Sequence, residues 1–158
     1  MRGLVAAHQY DKAIEQLGKT IEMDQSFYFA HWQLGTAYEM KGSLQEATLE
    51  YQKARQLNDD PWVLSLLGHV FAASGRRDEA LKALDELKKI SKQRYVSGYS
   101  FAVVYAVLGD KDQTFQWLEK SCQNREPRIT RVKVDPLLDN LHSDPRFADV
   151  LQCVGLPQ

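Results

Sequence analysis

The stretch HWQLGTAYEMKGSLQEATLEYQKA, residues 31–54, decides the fold once it is set over LSLLGHVFAASGRRDEALKAL, residues 64–84. Leu34 and Gly35 fall on Leu67 and Gly68, Tyr38 on Phe71, Gly42 on Gly75, Ala47 on Ala80 and Tyr51 on Leu84. A looser third copy carries Tyr105, Gly109 and Leu118, so the three turn glycines lie 33 and 34 residues apart. Self-similarity at this period is the mark of stacked helical hairpins.

Side-chain sizes within the copies support the same architecture. Two helices of a hairpin approach closely where small residues face each other. Gly35, Gly68 and Ala102 supply them on the first helix of each pair, and Ala47, Ala80 and Thr114 on the second. Leu81, Leu84, Leu87 and Ile90 recur at helical spacing. Tyr38, Phe71 and Tyr105 are large enough to fill the space between hairpins, whose exposed faces neighbours must cover. Gly42, Gly75 and Gly109 sit where a helix end calls for a left-handed residue. Ser43, Asp78 and Asp112 follow as expected caps for the next helix.

The pattern resembles the tetratricopeptide repeat. The motif residues are His31, Leu34, Gly35, Tyr38, Ala47, Tyr51 and Ala54 in one copy, and Leu64, Leu67, Gly68, Phe71, Ala80 and Leu84 in the next. Phe101, Ala102, Tyr105, Thr114, Leu118 and Ser121 make the third. The expected fold is therefore all-α, a tetratricopeptide-like α-solenoid of stacked antiparallel helix pairs with a C-terminal capping helix. One domain spans residues 1–158, divided into a partial repeat (1–27), three repeats (28–60, 61–94, 95–128) and a cap (129–158). Helices are expected near 2–7, 10–24, 27–41, 44–57, 61–74, 77–91, 95–108, 111–123 and 145–153. Asp135-Pro136 and Asp144-Pro145 each pair a capping acid with a proline at the first helical position.

At the start, Leu4, Val5, Ile14 and Leu17 would be only partly covered by a lone helix, which predicts that the chain is the later part of something longer. The end of the chain carries a second resemblance. Arg94-Tyr95-Val96-Ser97, Gly109-Asp110-Lys111-Asp112, Lys133-Val134-Asp135-Pro136, Ser143-Asp144-Pro145-Arg146-Phe147 and Val154-Gly155-Leu156-Pro157 are similar to the tail of bacterial tetratricopeptide arrays. Those arrays follow protein-kinase, winged-helix or nucleotide-cyclase domains. The resemblance implies a regulatory or scaffolding appendage.

Composition narrows the function classes. The chain has 158 residues, 44% of them hydrophobic, and 20 basic against 21 acidic side chains, a formal charge of −1. Such a balance gives no field to steer nucleic acid or an anionic membrane, so neither is an expected partner. The run from Phe101 to Leu108 is too short to span a bilayer. Cys122 and Cys153 follow no metal or redox spacing, which predicts reduced, buried thiols and a cytoplasmic protein. No phosphate loop, zinc-protease helix or nucleophile elbow is present. The four histidines are scattered, so no metal, no cofactor and no catalysis are expected. Arg125, Arg128, Arg131 and Lys133 cluster, diluted by Glu126 and Asp135, and read as a hydrated loop before the cap.

What remains is binding. The resemblance implies a concave groove lined by the first helices, with Phe29, Trp32, Thr36 and Glu39 in one repeat, Trp62, Ser65 and His69 in the next, and Tyr99 and Val103 in the third. Tetratricopeptide modules that clamp a terminal carboxylate place Lys and Asn at these sites, and this chain does not. A groove of this composition favours a protein or peptide with apolar or aromatic anchors. A filling of the groove by the C-terminal tail is the competing arrangement. The alternative function is homo-oligomerisation through the uncovered N-terminal face.

Overall fold

Acid-capped helix starts set the frame. The Asp60 carboxylate accepts the Trp62 N–H at 2.9 Å, with Pro61 opening the helix behind it. Ser97 accepts from the Tyr99 N–H, and Asp110 from the Gln113 N–H. Each bond satisfies a donor that the first helical turn leaves without an internal partner. The computed structural model describes residues 2–157, with side chains from residue 9 onward. Its helices are α1 (Arg2–Met23), α2 (Tyr28–Met40), α3 (Leu44–Leu57), α4 (Pro61–Ala73), α5 (Arg77–Ser91), α6 (Gly98–Leu108), α7 (Lys111–Gln123) and α8 (Pro145–Val154). Two 3-10 turns, Pro127–Arg131 and Pro136–Leu141, lie between α7 and α8. There is no strand among the described residues, and no helix among them is long and apolar enough to cross a membrane.

The helices associate in consecutive pairs, α2 with α3, α4 with α5 and α6 with α7, an α-solenoid arrangement. Successive pairs meet through α3 on α4 and through α4 on α6, while α1 lies against α2 and α8 against α7. The tight turns follow from Gly42, Gly75 and Gly109, which take φ of +86°, +77° and +83°. Such angles are costly for any residue bearing a Cβ. The small residues are where close approach needs them: Ala47, Ala80, Ala102 and Thr114 are fully buried. At Gly35 an added Cβ would stand 2.6 Å from the ring of Tyr51, itself completely buried. Tyr38, Phe71 and Tyr105 are partly buried against the continuous core, as large fillers between pairs should be.

Four local expectations are corrected. Residues 2–7 and 10–24 are one continuous helix, since His8 and Gln9 offer no break and the glycines at 3 and 18 do not stop it. The caps of α5 and α7 are Arg76 and Asp110, two residues earlier than Asp78 and Asp112, which fall within the first helical turns. Ser43 does precede α3, but its side chain makes no capping bond. Finally, Cys122 and Cys153 are not reduced thiols: they form a disulfide between α7 and α8, with Cα atoms 6.4 Å apart. The cysteine argument for a cytoplasmic protein falls with it, because such bonds persist in oxidising surroundings. The expectation about Leu4 and Val5 lies outside the described side chains, while Ile14 and Leu17 are half-buried.

Candidate interaction surface

A polar cluster occupies the junction of the first two helix pairs. Glu39 on α2 accepts from the Tyr51 hydroxyl of α3 at 2.7 Å and pairs with His69 Nδ1 of α4. Thr36 Oγ1 lies 3.2 Å from the same Tyr51 hydroxyl. Glu39, Tyr51 and His69 are all buried. Burial pushes the Tyr51 phenol far above its usual pKa, and the Glu39 carboxylate adds to the shift. The hydroxyl therefore stays protonated and works as a donor. A second pair, His31 and Glu50 at 2.8 Å, joins α2 to α3, with the other imidazole nitrogen 2.9 Å from the Gln25 carbonyl. These groups hold helices together, and their polar atoms are used up in doing so.

The third pair is covered by the chain's own tail. The segment from Asp135 to Leu141 runs along α6, tied at one end by the Tyr99 hydroxyl donating to Asp135 at 2.6 Å. At the other end the Asn140 amide donates to the Ala106 carbonyl at 3.0 Å. Asp135 also caps the second 3-10 turn through the Leu137 N–H. Val132, Leu138 and Leu141 of the tail are themselves fully buried. The Arg128 guanidinium lies 3.7 Å over the ring of Trp62, which in turn approaches Tyr99 at 6.1 Å.

Most of the residues expected to line a groove therefore have no free surface to offer. Ser65, Tyr99 and Val103 are fully buried, and Glu39, His69 and Trp62 nearly so. Thr36 is half-buried and turns its hydroxyl to the Trp32 carbonyl. The polar junction takes up Thr36, Glu39 and His69, and the tail, whose filling of the groove is the competing expectation, bonds to Tyr99. Phe29 and Trp32 are different. Phe29 is 40% exposed and meets Trp32 edge-on at 5.0 Å, with Phe27, 43% exposed, stacked behind it at 5.9 Å. Phe27 precedes the helix and lay off the repeat face, so the periodicity passed over it.

Compared with known proteins, the chain matches no protein-family model and no curated protein.

Proposed function

We propose that this chain is a protein-interaction module of the tetratricopeptide type, a scaffold that grips a partner through the aromatic cluster at the start of α2. The observation that carries the reading is the contiguous set of exposed Phe27 and Phe29 with half-buried Trp32. Aromatic side chains bring large contact area with few rotors to freeze, and they dominate binding energy at interfaces. In support, the 33- to 34-residue period and the paired helices match the geometry that this repeat class uses to display surface. The partner that fits is a peptide or domain presenting apolar or aromatic anchors, with the module serving a larger regulatory protein.

Selection of peptides from a displayed random library tests this, followed by titration of the winners against Phe29→Ala and Trp32→Ala proteins. Enriched sequences should carry Phe, Trp, Leu or Met. Each substitution should cost about 2 kcal/mol of binding, roughly thirtyfold in affinity, with the helical signal intact. Winners without apolar anchors, or winners that ignore both substitutions, overturn the proposal.

Self-association is the second reading. Ile14, Leu17 and Ile21 of α1 are only half-covered by α2, leaving apolar surface for a second copy. Sedimentation over a wide concentration range decides it, a constant monomer mass being the adverse result.

A further inference from the structure

The basic cluster of the sequence resolves into two pairs of unlike residues. Lys133 is spent on the Pro157 carbonyl at 2.5 Å, and Arg125 is exposed at a positive φ of 52°. Arg128 and Arg131 instead line a cleft of about 490 Å³ between the starts of α4 and α6 and the first 3-10 turn. Neither has a carboxylate within ion-pairing distance among the described residues.

The acids in the same walls are already occupied. The Glu126 carboxylate accepts from Ser97 and Ser121 hydroxyls at 2.6 Å each and from the Gly98 N–H at 3.1 Å. Asp60 accepts from the Trp62 N–H and the Tyr28 hydroxyl. Both acids serve helix starts; Arg128 lies over the Trp62 ring without a hydrogen bond to its guanidinium, and the exposed Arg131 has neither a hydrogen bond nor an ion pair among the described residues. Arg128 is also half-buried, and desolvation works against its charge. The Trp62 ring forms part of the wall, is 7% exposed, and its Nε1 is the one buried side-chain polar atom among the described residues with no partner. An indole N–H rarely goes without an acceptor in an interior.

We propose that this cleft seats a short acidic peptide segment, whose carboxylate bridges Arg128 and Arg131 at its mouth. Two guanidinium forks suit carboxylate recognition. The volume falls within the range of about 300–1,000 Å³ typical of ligand sites. The acids in the walls, Asp60 and Glu126, speak against a longer polyanion. The site is separate from the α2 aromatic cluster and adds a polar anchor to the apolar one proposed above.

The test uses the full chain and the fluorescein-labelled, amidated peptide Ac-EDEFEDEL-NH2, read by anisotropy, beside its neutral counterpart Ac-QNQFQNQL-NH2. The acidic peptide should bind about tenfold more tightly than the neutral one, a difference of about 1.4 kcal/mol. Arg131→Ala, at an exposed position, should erase that difference with the helical signal unchanged, and Arg131→Lys should restore part of it. Phe29→Ala should leave the preference intact. Equal binding of the two peptides, or indifference to Arg131→Ala, overturns the proposal. So does competition by inorganic phosphate alone as strong as by the peptide, which would mean a simple anion site. Loss on Phe29→Ala but not on Arg131→Ala would move binding to α2 and likewise refute the cleft, while leaving the aromatic reading standing.

Discussion

Replacing Gly35 by alanine should destabilise the protein although the helix around it would welcome the change. In an open helix interior, Gly→Ala stabilises by about 0.5–1 kcal/mol. At Gly35 the new Cβ would sit 2.6 Å from both Cδ1 and Cε1 of Tyr51 and 3.2 Å from the Ala47 carbonyl oxygen. Backbone cannot yield there, so the ring must. The ring is fully buried and tethered by its hydroxyl to Glu39, so moving it strains packing and stretches that bond. Overpacking of this kind costs about 1–3 kcal/mol, and weakening a hydrogen bond to a carboxylate about 1.5–3 kcal/mol. After the helix gain is subtracted, the expected loss is about 1.5–5.5 kcal/mol. Urea unfolding followed by far-ultraviolet circular dichroism measures it, with Gly18→Ala as the control. Gly18 has nothing within 4 Å of an added Cβ, so that protein should gain by about 0.5–1 kcal/mol. Tyr51→Leu should relieve the clash, since the equivalent positions Ala102 and Leu118 already coexist fully buried. The double variant should then lose less than the sum of the singles, by about 1–2 kcal/mol. A Gly35→Ala protein as stable as the parent, or strict additivity with Tyr51→Leu, would refute the reasoning.

Other expectations follow from the tail and its tethers. Tyr99→Phe removes the donor that the buried Asp135 carboxylate receives, and should cost about 1.5–3 kcal/mol in the same unfolding assay. Reduction of the Cys122–Cys153 bond, which closes a separation of 31 residues, should lower stability by about 3 kcal/mol, measured with and without a dithiol reductant. Glu126 gives a pH signature. Burial pulls its pKa up, but donation from Ser121, Ser97 and the Gly98 N–H more than offsets this and holds it below the usual value of 4.5. Its ionised form therefore stabilises the fold fully above pH 4.5, and that contribution drains away as pH falls through the lower folded-state value. Comparing acid unfolding of Glu126→Gln with the parent should show a stability gap near neutrality that closes on acidification. A gap independent of pH would count against the assignment.

Much of the fold was legible because it is carried by local demands. A left-handed turn needs Gly42, Gly75 or Gly109, and a close helix pair needs Ala47 or Ala80; each requirement can be read from one position and its repeat. The site was harder for a physical reason. Helical spacing assigns Ser65, Tyr99 and Val103 to one face, but whether a face is open depends on distant residues. Here those were Asp135 and Asn140, on a tail that follows no repeat. The disulfide was hidden in the same way, since it depends on α8 coming to rest against α7. Phe29 is 40% exposed, while Trp32 beside it is half-buried against the core.

The junction at Glu39 gives the array a fixed order. His69 answers Glu39, yet at the next seam Ala72 stands where Glu39 would recur and Val103 where His69 would. Excising the middle pair would bring a carboxylate against a hydrocarbon wall, and transposing pairs would strand an imidazole. Shared backbone geometry thus does not make these units interchangeable, and shuffled versions of the chain would have to rewrite their seams along with their sequence.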